Sequence, residues 1–150
     1  MSVKKLLAAG LAITSLAGLT TTPVSAEDFV IGAVSARTGF MAAYDTPFMQ
    51  GVSMYIEEAN KGGGLNGKYP IKLIERDDGS DVQKAAISVG ELLKKQKMSA
   101  FISSAISPAA IAAGSMVRSK DLLIMHTIAS QPTIPARAGG GSYLVMMSDA

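Results

Sequence analysis

The chain has 150 residues, 14 basic and 12 acidic side chains, a formal charge of +2 and no cysteine. The absence of cysteine excludes disulfide bonds, thiolate metal sites and a lipid-modified amino-terminal cysteine from this sequence. A charge this close to balance, without a long basic stretch, argues against nucleic acid and anionic membrane surfaces as partners.

The first 26 residues have the pattern of a secretory signal peptide. Lys4 and Lys5 precede an apolar run over 6–19, and Val24 and Ala26 stand three and one residues before Glu27. The run is short for a bilayer span, which favours a cleaved signal over a membrane anchor or a buried helix. We therefore expect residues 1–26 to be removed and the remainder to work in the periplasm. Without the two lysines, 12 basic and 12 acidic side chains remain, and the net charge is zero.

Beyond Glu27, strand and helix patterns alternate. Short apolar runs predict strands over 29–34, 70–76, 100–102, 122–125 and 143–146. Helical spacing predicts a first helix from Asp45 or Thr46, with Pro47 at its first position, a second capped near Asp81, and a third over 108–120. The apolar faces of the first two helices comprise Phe48, Val52, Tyr55, Ile56 and Ala59, and Val82, Ala85, Ala86, Val89, Leu92 and Leu93. This order predicts an α/β fold, an open, mostly parallel sheet with helices on both faces.

In such a sheet, ligands bind beyond the carboxyl ends of the strands, where the strand order reverses. A strand order of 2-1-3-4 would place this switch point between the first and third strands. Three loops would then meet there, over 35–44, 103–108 and 126–132, and they are rich in serine and threonine hydroxyls. The start of the third helix adds backbone N–H groups for an anion. Serine and threonine are also common in ordinary loops, so each hydroxyl taken singly has a plain structural explanation.

Several enzyme and cofactor signals fail on their context. The segment Gly62–Gly67 matches a phosphate-binding pattern, but it follows a helix and precedes a strand, which is the reverse of what such a loop requires. The single histidine, His126, has no second histidine or cysteine to share a metal or to activate. We interpret it as a packed or hydrogen-bonding pocket residue. Asp77 and Asp78 are better explained as capping the next helix than as acid/base catalysts. The sequence therefore predicts no catalytic residue, metal or cofactor.

The combined motifs resemble the amino-terminal lobe of periplasmic solute-binding proteins of branched-chain amino acid ABC importers, the type I or Leu/Ile/Val-binding family. The similar segments are Ile31–Val34, Thr38–Gly39, Ala42–Tyr44, Gly51, Glu57–Gly67, Asp77–Asp78 and Ile102–Pro132. The resemblance covers residues 27–150 and implies two α/β lobes that close on a ligand around a hinge. It implies that this chain is a fragment, with the second lobe absent and the first lobe incomplete.

The resemblance also implies a ligand site. Ser107 corresponds to the serine that starts the third helix and binds the ligand carboxylate, and Ser130 corresponds to a second hydroxyl on that carboxylate. The backbone carbonyl of Ile128 corresponds to the one that accepts the ligand ammonium, and the adjacent Ala129 belongs to the same predicted site. Tyr44 corresponds to the aromatic that covers the ligand side chain. Arg37 departs from the family pattern. Facing the cleft it would pair with a second acidic group of the ligand, and otherwise it is a rim residue.

The sequence thus supports a non-enzymatic receptor that captures a small amino acid or other carboxylate and delivers it to the transmembrane subunits of an ABC permease. The alternatives are the exported sensing domain of a receptor and an exported α/β enzyme. A transmembrane helix in the remainder of the protein would favour the sensor, and a second α/β half would favour the importer.

Overall fold

The computed structural model describes residues 27–139 and 141–146, in which strands and helices alternate. The predicted signal peptide lies outside these residues. The strands are β1 (Phe29–Ser35), β2 (Ile71–Asp77), β3 (Ala100–Ser103), β4 (Leu123–His126) and β5 (Ser142–Leu144). The helices are α1 (Ala42–Lys61), α2 (Val82–Lys95), α3 (Ser107–Val117) and α4 (Ile134–Ala138), with a 3₁₀ turn over Arg118–Lys120. None of the helices in this part of the chain is long and apolar enough to cross a bilayer.

The five strands form one parallel sheet in the order β2-β1-β3-β4-β5. This order contains the predicted 2-1-3-4 arrangement and adds β5 at the far edge. The strand order reverses between β1 and β3, which pair through Ile31 with Ala100, Gly32 with Phe101 and Ala33 with Ile102. The predicted fold class and the predicted switch point are therefore confirmed.

The larger core lies on the face of the sheet that α2 and α3 cover. These helices repeat small and branched residues at helical spacing, which lets them pack closely on the sheet. Phe101 of β3 is the largest fully buried side chain of this cluster. The other buried members are Val34, Ala85, Val89, Leu92, Met98, Ala109, Ala113, Val117 and Ile124.

The opposite face is covered less completely. There α1 packs Met49 on Ala33 and Ile102 of the sheet. Beside α1, an apolar groove of about 540 Å³ lies open along the strands. It is lined by Ile31, Ile71, Ile102 and Met125 from the sheet and by Pro47, Phe48, Gly51, Val52, Tyr55 and Ile56 from α1. The groove is an apolar surface of the kind that proteins usually cover.

Two sequence expectations about the helices are wrong. Helix α1 begins at Ala42, about one turn before the predicted start, and Pro47 lies inside it. The early start has a tertiary cause, because the Met41 N–H donates to the Ser80 hydroxyl, 3.0 Å away. Tyr55 is 73% exposed at the groove and Val82 is 38% exposed, so neither packs inward as its spacing suggests. The predicted cap of α2 is confirmed, since the Asp81 carboxylate accepts the Lys84 N–H at 2.8 Å.

Helix α4 was not predicted, and it depends on close contact with α3. It has five residues, which is too few to be stable alone in water. A β-carbon added at Gly114 of α3 would lie 2.3 Å from the Ala138 β-carbon of α4. The missing side chain of Gly114 therefore sets the distance between these helices.

Two glycine substitutions test this packing. We expect Gly114→Ala to lower the free energy of unfolding by about 1 to 3 kcal/mol, because the added methyl group overlaps Ala138. Gly51→Ala serves as the control, since within the described part of the chain no atom lies within 4 Å of the new β-carbon on α1. It should raise the free energy of unfolding by about 0.5 to 1 kcal/mol, through the better helix propensity of alanine. Urea unfolding measures both, and a neutral Gly114→Ala would contradict the close contact.

Candidate functional site

The candidate site lies at the carboxyl edge of the sheet, around the switch between β1 and β3. The loop over 36–41 follows β1, the loop over 104–106 follows β3, and the loop over 127–133 follows β4. All three strands run in the same direction, so the three loops lie at one edge. This is the position at which open α/β sheets bind ligands.

The amino terminus of α3 follows the loop after β3. Ser107 is the first residue of the helix and is half-buried. The first backbone hydrogen bond of the helix runs from the Ala110 N–H to the Ile106 carbonyl, at 2.8 Å. The N–H groups of Ser107 and Ala109 precede it, and Pro108 has none. These amides, with the positive end of the helix dipole, suit a carboxylate.

The loop after β4 carries Ile128, Ala129 and Ser130. Ala129 is 2% exposed and packs with Ala110 of α3, which joins this loop to the helix. Ile128 and Ser130 are half-buried. Because β3 and β4 are neighbours whose last residues, Ser103 and His126, pair with each other, this loop and the start of α3 lie side by side. The structure thus brings together the loops of the four residues predicted to bind the polar end of a ligand.

Tyr44 and Arg37 lie on the other side of the switch, after β1. Tyr44 belongs to the first turn of α1 and not to the loop in which it was predicted, and it is 66% exposed. Arg37 lies in the loop, with its side chain 37% exposed and its Nε 3.7 Å from the Glu75 carboxylate of β2. Glu75 also accepts a hydrogen bond from the Ser35 hydroxyl. Arg37 therefore already has a partner of opposite charge within the lobe, which sequence reasoning did not anticipate.

The loop after β1 is held in place by Asp77. Its carboxylate accepts the backbone N–H groups of Arg37 (2.9 Å), Thr38 (3.1 Å) and Gly79 (2.9 Å), and the Thr38 hydroxyl at 2.7 Å. Burial alone would raise the pKa of Asp77, but these hydrogen bonds outweigh burial and lower the pKa below its ordinary value. Asp77 thus holds the first loop as an ionised carboxylate.

Asp78 joins the loops after β1 and β3. It is fully buried, and its backbone N–H donates to the Ser35 carbonyl at 2.9 Å. Its carboxylate accepts the Ser80 N–H at 2.8 Å and the Ser104 hydroxyl. The interpretation of Asp77 and Asp78 as helix caps is therefore wrong, since Asp81 caps α2. The two carboxylates point to different loops, and adjacency in sequence gives no signal of this role.

Asp45 is a second buried carboxylate behind the first loop. It is 1% exposed in the first turns of α1 and accepts the Ala36 N–H. Burial raises its pKa to about 6, although the hydrogen bond from Ala36 opposes the shift. The negative charges of Asp78 and Glu75 raise it further, and the positive charge of Arg37 lowers it. Asp45 therefore changes charge in mildly acidic solution, whereas Asp77 does not.

His126 ends β4 as a fully buried, hydrogen-bonded residue, as interpreted from the sequence. Its Nδ1 lies 2.6 Å from the Ser103 hydroxyl of β3 and its Nε2 lies 2.5 Å from the Ser142 hydroxyl of β5. Burial lowers the pKa of His126 to about 4, so the imidazole is neutral at neutral pH. A neutral imidazole donates through one nitrogen and accepts through the other, which suits two hydroxyl partners.

The remaining motifs have structural roles. The segment Gly62–Gly67 is a turn, with Gly63, Gly64 and Gly67 at φ of 90°, 81° and 66°. A side chain is disfavoured at these angles, which accounts for the glycine-rich sequence without a phosphate. Within 27–139 and 141–146, no group of three histidine, aspartate or glutamate side chains is placed to hold a metal ion.

Comparisons with known proteins agree on one family. The family model described as periplasmic binding protein matches residues 29–147. An amino acid binding protein of Pseudomonas aeruginosa is 28% identical over 133 residues, which are 89% of this chain and 35% of that protein. Leu/Ile/Val-binding protein homolog 2 of Brucella abortus is 36% identical over 87 residues, or 58% of this chain and 22% of that protein. The chain thus spans about a third or less of the length of these relatives.

Solved structures share the fold. The substrate-binding protein LivJ of Streptococcus pneumoniae, in complex with isoleucine, matches with a TM-score of 0.74 at 24% identity, over 81% of this chain and 34% of that one. A solute-binding protein of Rhodopseudomonas palustris, in complex with 3,4-dihydroxybenzoic acid, matches with a TM-score of 0.68 at 20% identity, over 81% of this chain and 32% of that one. At these identities the likeness establishes the architecture of the lobe and leaves the ligand open.

The raised pKa of Asp45 predicts that its effect on the free energy of unfolding depends on pH. Because its folded pKa of about 6 exceeds its ordinary value of 3.8, the folded state holds the proton more tightly than the unfolded state. Its contribution to stability is therefore present at low pH and lost as the pH rises through 6. We expect Asp45→Asn, which keeps an acceptor for Ala36, to be more stable than the unsubstituted protein at pH 8 by about 1 to 3 kcal/mol. At pH 4 the difference should nearly vanish.

Asp77→Asn is the matched control, because its pKa is shifted the opposite way. The contribution of Asp77 is present above its ordinary pKa and is lost as the pH falls, so this variant should be less stable than the unsubstituted protein at pH 8. Urea unfolding from pH 4 to 8 compares the variants. A loss of stability in Asp45→Asn at pH 8 would show that the fold uses the charge of Asp45.

Proposed function

The chain belongs to the periplasmic binding protein family, and we propose that it forms the first lobe of a solute-binding protein that captures an amino acid or an aromatic acid for an ABC importer. This is a family of binding proteins and not of enzymes. The observation that carries the proposal is the meeting of two elements at the switch edge, the amino terminus of α3 and the loop 127–133. We infer that the protein is exported through the signal at 1–26 and works in the periplasm.

The polar end of the ligand is assigned to these two elements. In this proposal the Ser107 hydroxyl and the first amides of α3 bind the ligand carboxylate, and the Ser130 hydroxyl adds a further donor. A carboxylate there replaces its hydration by several fixed donors and gains from the helix dipole. For an amino acid ligand, the Ile128 carbonyl accepts a proton of the ammonium group, with Ala129 holding the loop on α3.

The apolar end of the ligand is assigned to the opposite side of the switch. Tyr44 is 66% exposed there, so its ring is free to pack on a ligand side chain or ring. We propose that a second lobe, beyond this chain, supplies the other wall and closes over the ligand by a hinge motion. The relatives support this, because the chain spans only 35% of the Pseudomonas aeruginosa protein. Delivery would then be to the transmembrane subunits of the permease.

Titration calorimetry of the complete protein tests this function. The panel is leucine, isoleucine, benzoate and 3,4-dihydroxybenzoate, which are the ligands or close analogues of the ligands in solved structures that share the fold. We expect Ser107→Ala to weaken every carboxylate ligand that binds by about 1 to 3 kcal/mol, because the shared carboxylate loses a donor. Ser115→Ala is the control on the same helix, since its hydroxyl bonds only to the backbone carbonyls of Ile111 and Arg137 among the described contacts. Unchanged affinity for all ligands in Ser107→Ala would contradict the assignment.

Arg37 determines whether a second polar group on the ligand is recognised. Its guanidinium is partly exposed and Glu75 already balances its charge, so a plain aliphatic ligand requires no further partner for it. We expect Arg37→Leu to leave leucine and isoleucine affinity unchanged and to weaken a ligand with an extra anionic or strongly accepting group by about 1 to 2 kcal/mol. Glu75→Gln, which frees the arginine, should strengthen that same ligand. Equal effects of Arg37→Leu on all ligands would show that Arg37 acts on the structure of the loop.

A further inference from the structure

His126 occupies the junction of the two elements to which the ligand carboxylate is assigned. Ser103 is the last residue of β3, four residues before Ser107, and His126 is the last residue of β4, directly before the loop 127–133. The two pair across the sheet, and their side chains meet where Nδ1 lies 2.6 Å from the Ser103 hydroxyl. One side-chain contact therefore joins the two strand ends from which the binding elements start.

We propose that His126 is a positioning residue, which sets the position of the loop 127–133 relative to the start of α3 through its hydrogen bond to Ser103. This inference rests on the proposed function, since it concerns the geometry of the carboxylate site. His126 itself does not touch the ligand, because it is fully buried beneath the loops.

The residues around His126 indicate that its hydrogen bond to Ser103 matters for the position of the loop 127–133. The next side chain, Thr127, is 1% exposed, and its hydroxyl has no hydrogen-bond partner within the described part of the chain. Thr127 therefore does not anchor the loop through its own hydroxyl. The second nitrogen of His126 is bonded to Ser142 on β5, which holds the ring from the neighbouring strand on the other side of β4. A ring held at both nitrogens leaves little freedom to the strand end that carries it.

A purely structural role would make both hydrogen bonds of His126 equally important. The positioning role distinguishes them, because the Ser103 bond joins β4 directly to β3, the strand that leads into α3, whereas the Ser142 bond joins β4 to β5. Two substitutions separate the bonds. The amide of His126→Asn reaches the region of Nδ1 and keeps the Ser103 contact, whereas the longer His126→Gln reaches the region of Nε2 and keeps the Ser142 contact. Each variant loses one buried hydrogen bond, so the two should lose similar stability.

The experiment measures ligand affinity and urea unfolding in the complete protein. The probe is whichever of leucine, isoleucine, benzoate and 3,4-dihydroxybenzoate binds the unsubstituted protein. We expect His126→Asn to bind within about threefold of that protein and His126→Gln to bind about tenfold more weakly, the effect of one poorly formed hydrogen bond at the carboxylate. Ser103→Ala and Ser142→Ala repeat the comparison with smaller changes: the first should weaken binding and the second should not.

Each outcome is decisive. The positioning role is supported if His126→Gln binds more weakly than His126→Asn, and Ser103→Ala more weakly than Ser142→Ala, while the two variants of each pair have similar free energies of unfolding. Equal affinities within both pairs, in a protein that binds the probe, overturn the positioning role and leave the proposed function intact. Absence of binding by the folded, unsubstituted protein to every probe overturns the proposed function, and the positioning role with it. If the His126 variants do not fold, the serine pair alone decides between these outcomes.

Discussion

The parallel pairing of β1 with β3 is the constraint on which the rest of this lobe depends. It places β2 on one side of β1 and β3, β4 and β5 on the other side, so that the order of the described strands reverses between β1 and β3. Right-handed crossovers then put α1 on one face and α2 and α3 on the other. The loops that leave β1 and β3 diverge at this point, and the gap between them leaves room for a ligand that displaces no crossover. The strand order thus determines where the candidate site lies, and the side chains determine its chemistry.

Polar side chains then shape that gap, and each is hydrogen-bonded to a group from another element. Asp77 and Asp78 come from the end of β2, yet they hold the loops after β1 and β3. Asp45 comes from α1 and holds Ala36. Burying a carboxylate costs free energy unless it is hydrogen-bonded, so the buried carboxylates of Asp45 and Asp78 also specify one arrangement of the loops. The opposite pKa shifts of Asp45 and Asp77 follow from this difference, since burial dominates for one and hydrogen bonding for the other.

The uncovered groove beside α1 accords with a lobe that is part of a larger protein. Its lining is apolar on both walls, from Ile102 and Met125 of the sheet to Phe48 and Val52 of α1. The Pseudomonas aeruginosa relative and the LivJ structure are each about three times as long as the part that matches this chain, and the matched part of LivJ shares this fold. The polar carboxyl edge of the sheet therefore suits the binding of a small ligand, whereas the apolar face beside α1 suits packing against further protein.

Much of this lobe follows from the sequence alone, because its signals are local. Apolar runs of strand length, helical spacing and the Asp81 cap predicted the order of elements and an open, mostly parallel sheet. The strand order 2-1-3-4 was the condition on which the predicted switch point depended, and strand pairing meets it. The resemblance to a binding-protein family predicted which loop residues to consider. The start of α1 and the existence of α4 did not follow, because the first is set by Ser80 on another turn and the second by the contact of Gly114 with Ala138.

Only the tertiary structure decided how the polar residues are partnered. The sequence shows an arginine at 37, a glutamate at 75, a serine at 103 and a histidine at 126, but hydrogen bonds and ion pairs depend on distances that strand pairing sets. The pairing brings Arg37 to Glu75 and His126 to Ser103, across 38 and 23 positions of the chain. Local patterns therefore determined the elements and the edge at which they present their loops. The register of neighbouring strands determined which side chains meet there, because that register is fixed by packing over the whole sheet and by no single segment.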